Sequence, residues 1–134
     1  HRKYLDNMQS GLKGIKGAQN KLRKLIWEHI NVYDTERVYA RIILIEARSH
    51  PSYFDSSTYF IVKEYTHLFK DIVEEGIKNG EINENISAWT IKQVILGAIE
   101  HVCLPNIIFD REFSVDDFTE NICDIIFAGI RKKD

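Results

Sequence analysis

The sequence predicts an all-α chain, a helical bundle of about six helices. Three observations carry this. Long stretches repeat apolar residues at three- and four-residue spacing, the signature of one helical face. Capping residues stand where several of those stretches begin. Gly 7 and Pro 2 in 134 residues are too few for an all-β protein with many turns. The length suits one domain over residues 1–134. With 44% hydrophobic and 28% charged residues, the composition is that of an ordinary soluble globule.

Taken in order, residues 1–13 carry Tyr4, Leu5, Met8 and Leu12 at helical spacing before Gly11, Gly14 and Gly17 interrupt. Ala18 to Tyr33 restarts with Leu22, Leu25, Ile26, His29 and Val32 on one stripe. Asp34-Thr35 breaks it, and either residue can cap the next helix. Glu36 to Ser49 is apolar nearly all round, with Val38, Tyr39, Ile42, Ile43 and Ile45, and such a helix is expected to be buried. His50-Pro51 ends it, because the residue before proline is pushed out of the helical region. Asp55, Ser56 or Ser57 caps a long helix to Lys78. Its seam is Ile61, Tyr65, Leu68, Ile72 and Gly76, widened by Val62, Phe69 and Val73. Gly80 stands where a left-handed residue ends a helix. The polar Glu81-Ile82-Asn83-Glu84-Asn85 comes next, and Ser87 caps a helix that Pro105 is expected to stop near Leu104. Gly97 inside that helix costs about 1 kcal/mol against alanine, which points to close backbone approach. After an irregular connection, Ser114-x-x-Asp117 opens a last helix to about Arg131 in the manner of a capping box.

Charge is unevenly placed. The net charge is −2. Residues 1–24 hold seven basic side chains against Asp6, or +6, so the remainder carries −8. A basic end by itself suggests nucleic acid or a membrane surface; a solvated helix face is the plainer explanation. No helix-turn-helix pattern accompanies it. No apolar run approaches ~18 residues, so no membrane span is expected, and no signal-peptide pattern opens the chain. Cys103 and Cys123 do not make a secreted disulfide framework, which points to the cytoplasm.

Catalytic patterns are missing: there is no G-x-S-x-G, no phosphate-binding glycine loop and no H-E-x-x-H. No enzyme activity and no cofactor are expected. Glu64-x-x-His67 is half of the di-iron bundle signature, which needs two such pairs. His29, His67 and His101 lie on three different helices and could hold a divalent metal, or be partly buried and hydrogen-bonded. An all-helical metal bundle or enzyme using Glu64 and His67 is therefore the alternative function, although no metal site is predicted.

The stretch E-E-G-I-K-N-G-E-I, followed by A-W-T-I-K-Q-V-I-L-G-A-I-E, resembles the C-terminal domain of the TetR/AcrR family of bacterial transcriptional regulators. The matching positions are Glu75, Gly76, Gly80, Glu81, Ile82, Gly97 and Glu100. Leu44 to Phe54, L-I-E-A-R-S-H-P-S-Y-F, resembles the fatty-acid-responsive, FadR-like branch. The resemblance implies an effector-sensing and dimerisation domain of a probable repressor, cut just after a three-helix DNA-binding domain that nothing here matches. DNA would then be bound only through that missing N-terminal helix-turn-helix domain, and no membrane is a partner. In FadR-like relatives the effector is a long-chain acyl-CoA, so the resemblance implies an apolar-tailed ligand in a cavity between the helices. From face and polarity, Tyr39, Ile43, Glu46, Tyr65, His67 and His101 are its candidate lining.

The last two helices are apolar on more than one face. Ala88, Ile91, Ile95, Ala98 and Val102 suit the core, while Trp89, Gln93, Leu96, Gly97, Glu100 and Leu104 form a second stripe. On the last helix Phe118, Ile122, Ile125, Ile126 and Gly129 compete with Cys123, Phe127 and Ile130. One chain could not bury both sets. A homodimer with two helices from each copy in a four-helix bundle is predicted. Its expected interface is Trp89, Gln93, Leu96, Gly97, Glu100 and Leu104 with Phe118, Ile122, Ile126 and Gly129.

Overall fold

The computed structural model describes residues 2–133, with the side chains of Arg2, Tyr4 and Thr58 outside the described set. The predicted places of His1 in the first helix and of Tyr4 on its stripe thus lie outside the described residues. Six α-helices form the bundle: α1 (Arg2–Gly11), α2 (Ala18–Thr35), α3 (Arg37–Arg41), α4 (Ser57–Lys78), α5 (Ala88–Ile108) and α6 (Val115–Ile130). Among the described residues no strand forms; a lone antiparallel bridge joins Ile82 to Arg131.

Helix α2 is the centre. It packs against α6, α4 and α5, and Leu22, Leu25, Ile26 and Ile30 are fully buried on it. Each such side chain contributes roughly 1.5–3 kcal/mol of transfer free energy. α4 adds Phe69, Ile72 and Val73, α5 adds Ile91, Ile95, Ile99, Cys103 and Ile107, and α6 adds Ile122, Cys123, Ile126 and Ile130. The core stripe of α5 thus runs through Ile99 and Cys103 rather than Ala98 and Val102. Val102 is exposed.

The loop between α4 and α5 is built as its residues dictate. Gly80 takes φ +86°, and the N–H groups of Glu81 and Ile82 both return to the Gly76 carbonyl, at 2.9 and 3.0 Å. Ile82 tucks under the helix end and is buried. A Cβ on Gly76 would lie 2.5 Å from Ile82 Cδ1 and 2.8 Å from Ala18 Cβ, which is why that position carries none. The Glu81 carboxylate accepts from the Ala18 N–H at 2.8 Å and so caps α2 from across the bundle. Partial burial pushes that carboxyl up, but the N–H groups of Ala18 and Gln19, the Asn79 amide and Lys21 together hold it below its ordinary value. Asn83 N–H to Ile130 O (2.8 Å) and Lys132 N–H to Glu81 O (3.1 Å) then tie this loop to the end of α6.

Three caps fall where predicted: Ser56, Ser87 and Ser114 accept from Tyr59, Thr90 and Asp117 N–H groups at 3.1, 3.3 and 3.1 Å. The start of α3 differs. Its N-cap is Glu36 without a side-chain bond, because Asp34 pairs with Arg37 (2.8 Å) and the Thr35 hydroxyl donates back to Asn31 O.

Two expectations need correcting. The helix predicted over 36–49 breaks into α3, a π-helical turn (Ile42–Glu46) and a 3₁₀ turn (Ala47–Ser49), with a further 3₁₀ turn at Pro51–Asp55. Nor is it buried all round: Ile43 and Leu44 face inward, but Val38 is 75% exposed and Ile42 and Ile45 are also exposed. Pro105 does not stop α5, which runs on to Ile108. A proline there forfeits one hydrogen bond, but the last carbonyls of the helix gain charged donors. Arg37 reaches Asn106 O and Arg111 O at 3.3 and 2.9 Å, and Arg41 reaches Ile107 O at 3.0 Å. Asp110 in the left-handed region (φ 49°) then ends the helix.

At 21 residues, α5 is also long and apolar enough on average to cross a membrane, but Lys92, Gln93 and Glu100 interrupt it, so no unbroken apolar run approaches that length. One side of it is bundle core. On another side Trp89, Gln93, Val94 and Gly97 are exposed.

Candidate functional site

A cavity lies between α1, α2, α4 and α5, closed at one side by the π and 3₁₀ turns. Leu5 and Met8 of α1, Val32 of α2, Ile43, Ile61 and Val62, and Leu96 of α5 make its apolar wall. Polar groups enter from eight of the fifteen lining residues: His29 and Tyr33 on α2, Tyr39 on α3, Arg48, Tyr53, Tyr65 and Thr66, and Glu100 on α5. Its volume is about 80 Å³, room for several waters. Small-molecule sites usually enclose ~300–1,000 Å³, and this cavity is smaller.

Two polar clusters define its chemistry. In the first, His29 Nε2 meets the Tyr33 hydroxyl at 2.8 Å, and Nδ1 meets the Tyr65 hydroxyl. Phe69 packs edge-on behind, 6.1 Å from the imidazole centroid. Burial pushes His29 down to about 3 and both tyrosines well above their ordinary value, so the cluster is neutral. A neutral imidazole donates once and accepts once. One tyrosine hydroxyl therefore donates a hydrogen bond to the ring, and the other accepts from the ring N–H and keeps its own O–H to offer elsewhere. In the second cluster Arg48 donates to Glu100 at 2.5 Å. The hydrogen bond and the charge of Glu100 raise the arginine further, against the pull of its partial burial. The cavity is thus mostly apolar with a neutral donor group and one compensated ion pair.

Of the predicted lining, Tyr39, Ile43 and Tyr65 stand at the cavity, and Glu46, His67 and His101 do not. Glu46 and His67 are exposed. His101 lies in a neighbouring depression with Leu44, Arg48, Gly97, Glu100 and Leu104. The π turn explains Glu46. From Tyr39 and Ile43, an unbroken α-helix would next present position 46 or 47. A π turn takes up one extra residue, and Arg48 arrives instead. His29 and Arg48 were missed as lining; the His29–Tyr33 spacing of four is the signal that could have found the first. Glu64 and His67, the alternative site, are exposed on α4. Among the described residues no three His, Cys, Asp or Glu gather as a metal site. Cys103 and Cys123 are buried free thiols, pushed up by burial to about 12 and about 11, hence un-ionised.

The predicted interface residues divide. Trp89, Gln93, Gly97 and Gly129 are exposed on one side of α5 and α6, and Leu96, Glu100, Leu104 and Phe118 are half-buried. Ile122 and Ile126 are core residues instead. The stripe of α6 that faces α2 is the Thr119, Ile122, Cys123, Ile126, Ile130 series. Ile125, 75% exposed, takes their place on the open side. Gly97 has no atom within 4 Å of where a Cβ would stand, so the expected close approach does not occur within the protomer.

The described residues thus form an all-helical bundle with a cavity between its helices. The family model described as YsiA-like protein, C-terminal region, matches residues 2–129, and the chain belongs to that C-terminal region of the TetR family of transcriptional regulators, which are not enzymes. The fold is shared with the transcriptional regulator FadR from Bacillus subtilis in complex with stearoyl-CoA (TM-score 0.85, 22% identity, covering 96% of this chain and 69% of that one). It is shared likewise with the fatty acid degradation regulator FadR from Bacillus halodurans (0.84, 17%, 98% and 68%). The ketosteroid regulator KstR2 of Mycobacterium tuberculosis is similar too (0.74, 15%, 98% and 69%). No curated protein sequence matches the chain.

Proposed function

We propose that this chain is the effector-sensing and dimerisation domain of a cytoplasmic TetR-like repressor, and that its effector is a fatty acyl chain carried as a CoA thioester. The observation that carries this is the cavity, whose apolar wall includes Leu5, Met8, Ile43, Val62 and Leu96 and whose charged residues, Arg48 and Glu100, pair with each other. The structural likeness to a FadR holding stearoyl-CoA supports the choice of an acyl chain. The cavity's 80 Å³ is too small for such a chain, so binding must open it. The wall made of short π and 3₁₀ turns is the part with least regular hydrogen bonding to lose. DNA binding would belong to a helix-turn-helix domain outside this chain, controlled by the ligand's differential affinity for two states.

A thermal-shift series with acyl-CoAs of eight to eighteen carbons tests the assignment. The midpoint should rise by mass action and most with the longer chains. A midpoint unmoved by every length, while a polar metabolite raises it, would overturn the acyl assignment.

A further inference from the structure

Arg48 and Glu100 belong to two hollows at once. They line the effector cavity, together with Leu96. They also line the outer depression with Leu44, Gly97, His101 and Leu104 on the open side of α5. One ion pair is therefore the wall between the cavity and that surface. Both side chains are partly solvent-accessible, at 48% and 30%.

The surface itself fits a second copy of this chain. Only a third of the apolar 18-residue window of α5 is buried in the protomer, and Trp89 and Val94 on it and Ile125 on α6 are exposed. Gly97 and Gly129 leave it open, with nothing within 4 Å of either. Helices of this length are ~32 and ~24 Å long. Two such faces about 10 Å wide offer roughly 500–600 Å² per protomer, and two protomers clear the ~1,000 Å² that a specific interface needs. Because the face meets itself across a twofold, no second kind of surface is required.

We infer that the second copy covers the depression outside the Arg48–Glu100 pair, so that the dimer supplies the outer support of the effector cavity's wall. This rests on the effector reading above. An acyl chain must enlarge a cavity of about 80 Å³, and displacing Arg48 outward moves it into space the partner occupies. Ligand binding and dimerisation then oppose one another, and by linkage each weakens the other by the same factor.

The test is sedimentation equilibrium of the protein with and without saturating palmitoyl-CoA below its micelle concentration, with binding checked by thermal shift in the same samples. The dimer dissociation constant should rise at least fivefold with ligand. In Glu100→Gln and in Arg48→Met the rise should fall below twofold. Reading at saturation keeps any change in ligand affinity out of the comparison, and Arg48→Gln, which removes the cation and stays polar, replaces a variant that does not fold, with the same expected loss of the rise. A wild-type constant unchanged within twofold, or tightened, with palmitoyl-CoA bound overturns the coupling and leaves the acyl reading standing. Variants that keep the full shift overturn the role of the pair. A wild type that stays monomeric removes the interface, and failure to bind palmitoyl-CoA at all removes the acyl reading and this inference with it.

Discussion

Gly76→Ala should destabilise the domain although it improves helix propensity. The added methyl would meet Ile82 Cδ1 at 2.5 Å, Ala18 Cβ at 2.8 Å and Ile82 Cγ1 at 2.9 Å. Neither neighbour yields easily. Ala18 Cβ is fixed to the backbone at the first residue of α2, whose N–H is held by Glu81. Ile82 is buried, and its own N–H bonds the Gly76 carbonyl at 3.0 Å. Forcing a methyl into such a space costs ~1–3 kcal/mol, against a propensity gain of ~1 kcal/mol for replacing glycine inside a helix. The worst clash is against a buried side chain and a backbone-fixed atom together, so the upper part of the range applies and the net loss is ~1–2 kcal/mol. Unfolding entropy scales to ~0.3 kcal/mol per degree for a chain of this length, which predicts a Tm lower by ~3–7 °C. Urea denaturation at one fixed protein concentration supplies the free energy and thermal melting the Tm. A Gly76→Ala protein as stable as the wild type would mean that the close packing of Gly76 on Ala18 and Ile82 is not what this glycine is for.

Thr119→Val should stabilise the protomer by about 1 kcal/mol, because the buried Thr119 hydroxyl has no hydrogen-bond partner and a methyl needs none; a urea midpoint lower than wild type refutes it. Stability should fall as pH drops from about 6.5 toward 3. Burial holds His29 unprotonated to about 3 while an unfolded imidazole takes its proton near 6.5, so the unfolded chain binds the extra proton in that window. Carboxylates held low, as at Glu81, slope the same way at lower pH. The difference in pH dependence between wild type and His29→Phe isolates the histidine, at up to ~1.4 kcal/mol per pH unit, and parallel curves would contradict the assignment. Gly97→Arg should leave the protomer folded, since nothing lies within 4 Å of its Cβ position, and weaken the proposed dimer by a few kcal/mol through overpacking and a desolvated charge. Sedimentation equilibrium showing an unchanged dimer would sink the two-helix interface.

What could be read from the sequence was local. The α4–α5 loop was legible because its determinants sit within a few residues of one another: a glycine for the positive φ at position 80 and a serine acceptor at position 87. The length of α5 was not, because Pro105 is a local stop signal and the residues that override it, Arg37 and Arg41, lie more than sixty positions away. The same distance hid the role of Glu81, which resembles a turn residue and acts as the cap of α2.

The site shows where periodicity stops being enough. Tyr39 and Ile43 stand at the cavity, on the α-helical phase set by α3; Glu46, at the far end of the π turn, does not. No composition signal marks one inserted residue in an apolar run, so the faces assigned beyond the turn were displaced. On α4 and α5 polar chemistry was preferred over phase. His67 is two positions from Tyr65 and His101 one position from Glu100, offsets of ~200° and ~100° around a helix, so neither reaches the cavity that Tyr65 and Glu100 line. α5 carried a harder ambiguity, since it is apolar on most sides. Its second stripe reads as one surface, yet Leu96 and Glu100 turn toward the cavity while Trp89, Gln93 and Gly97 turn outward. A single helix thus serves the core, the cavity wall and the open face. The proposed coupling between ligand and dimer needs no signal to travel through the protein: at Glu100 the two surfaces are opposite sides of one side chain.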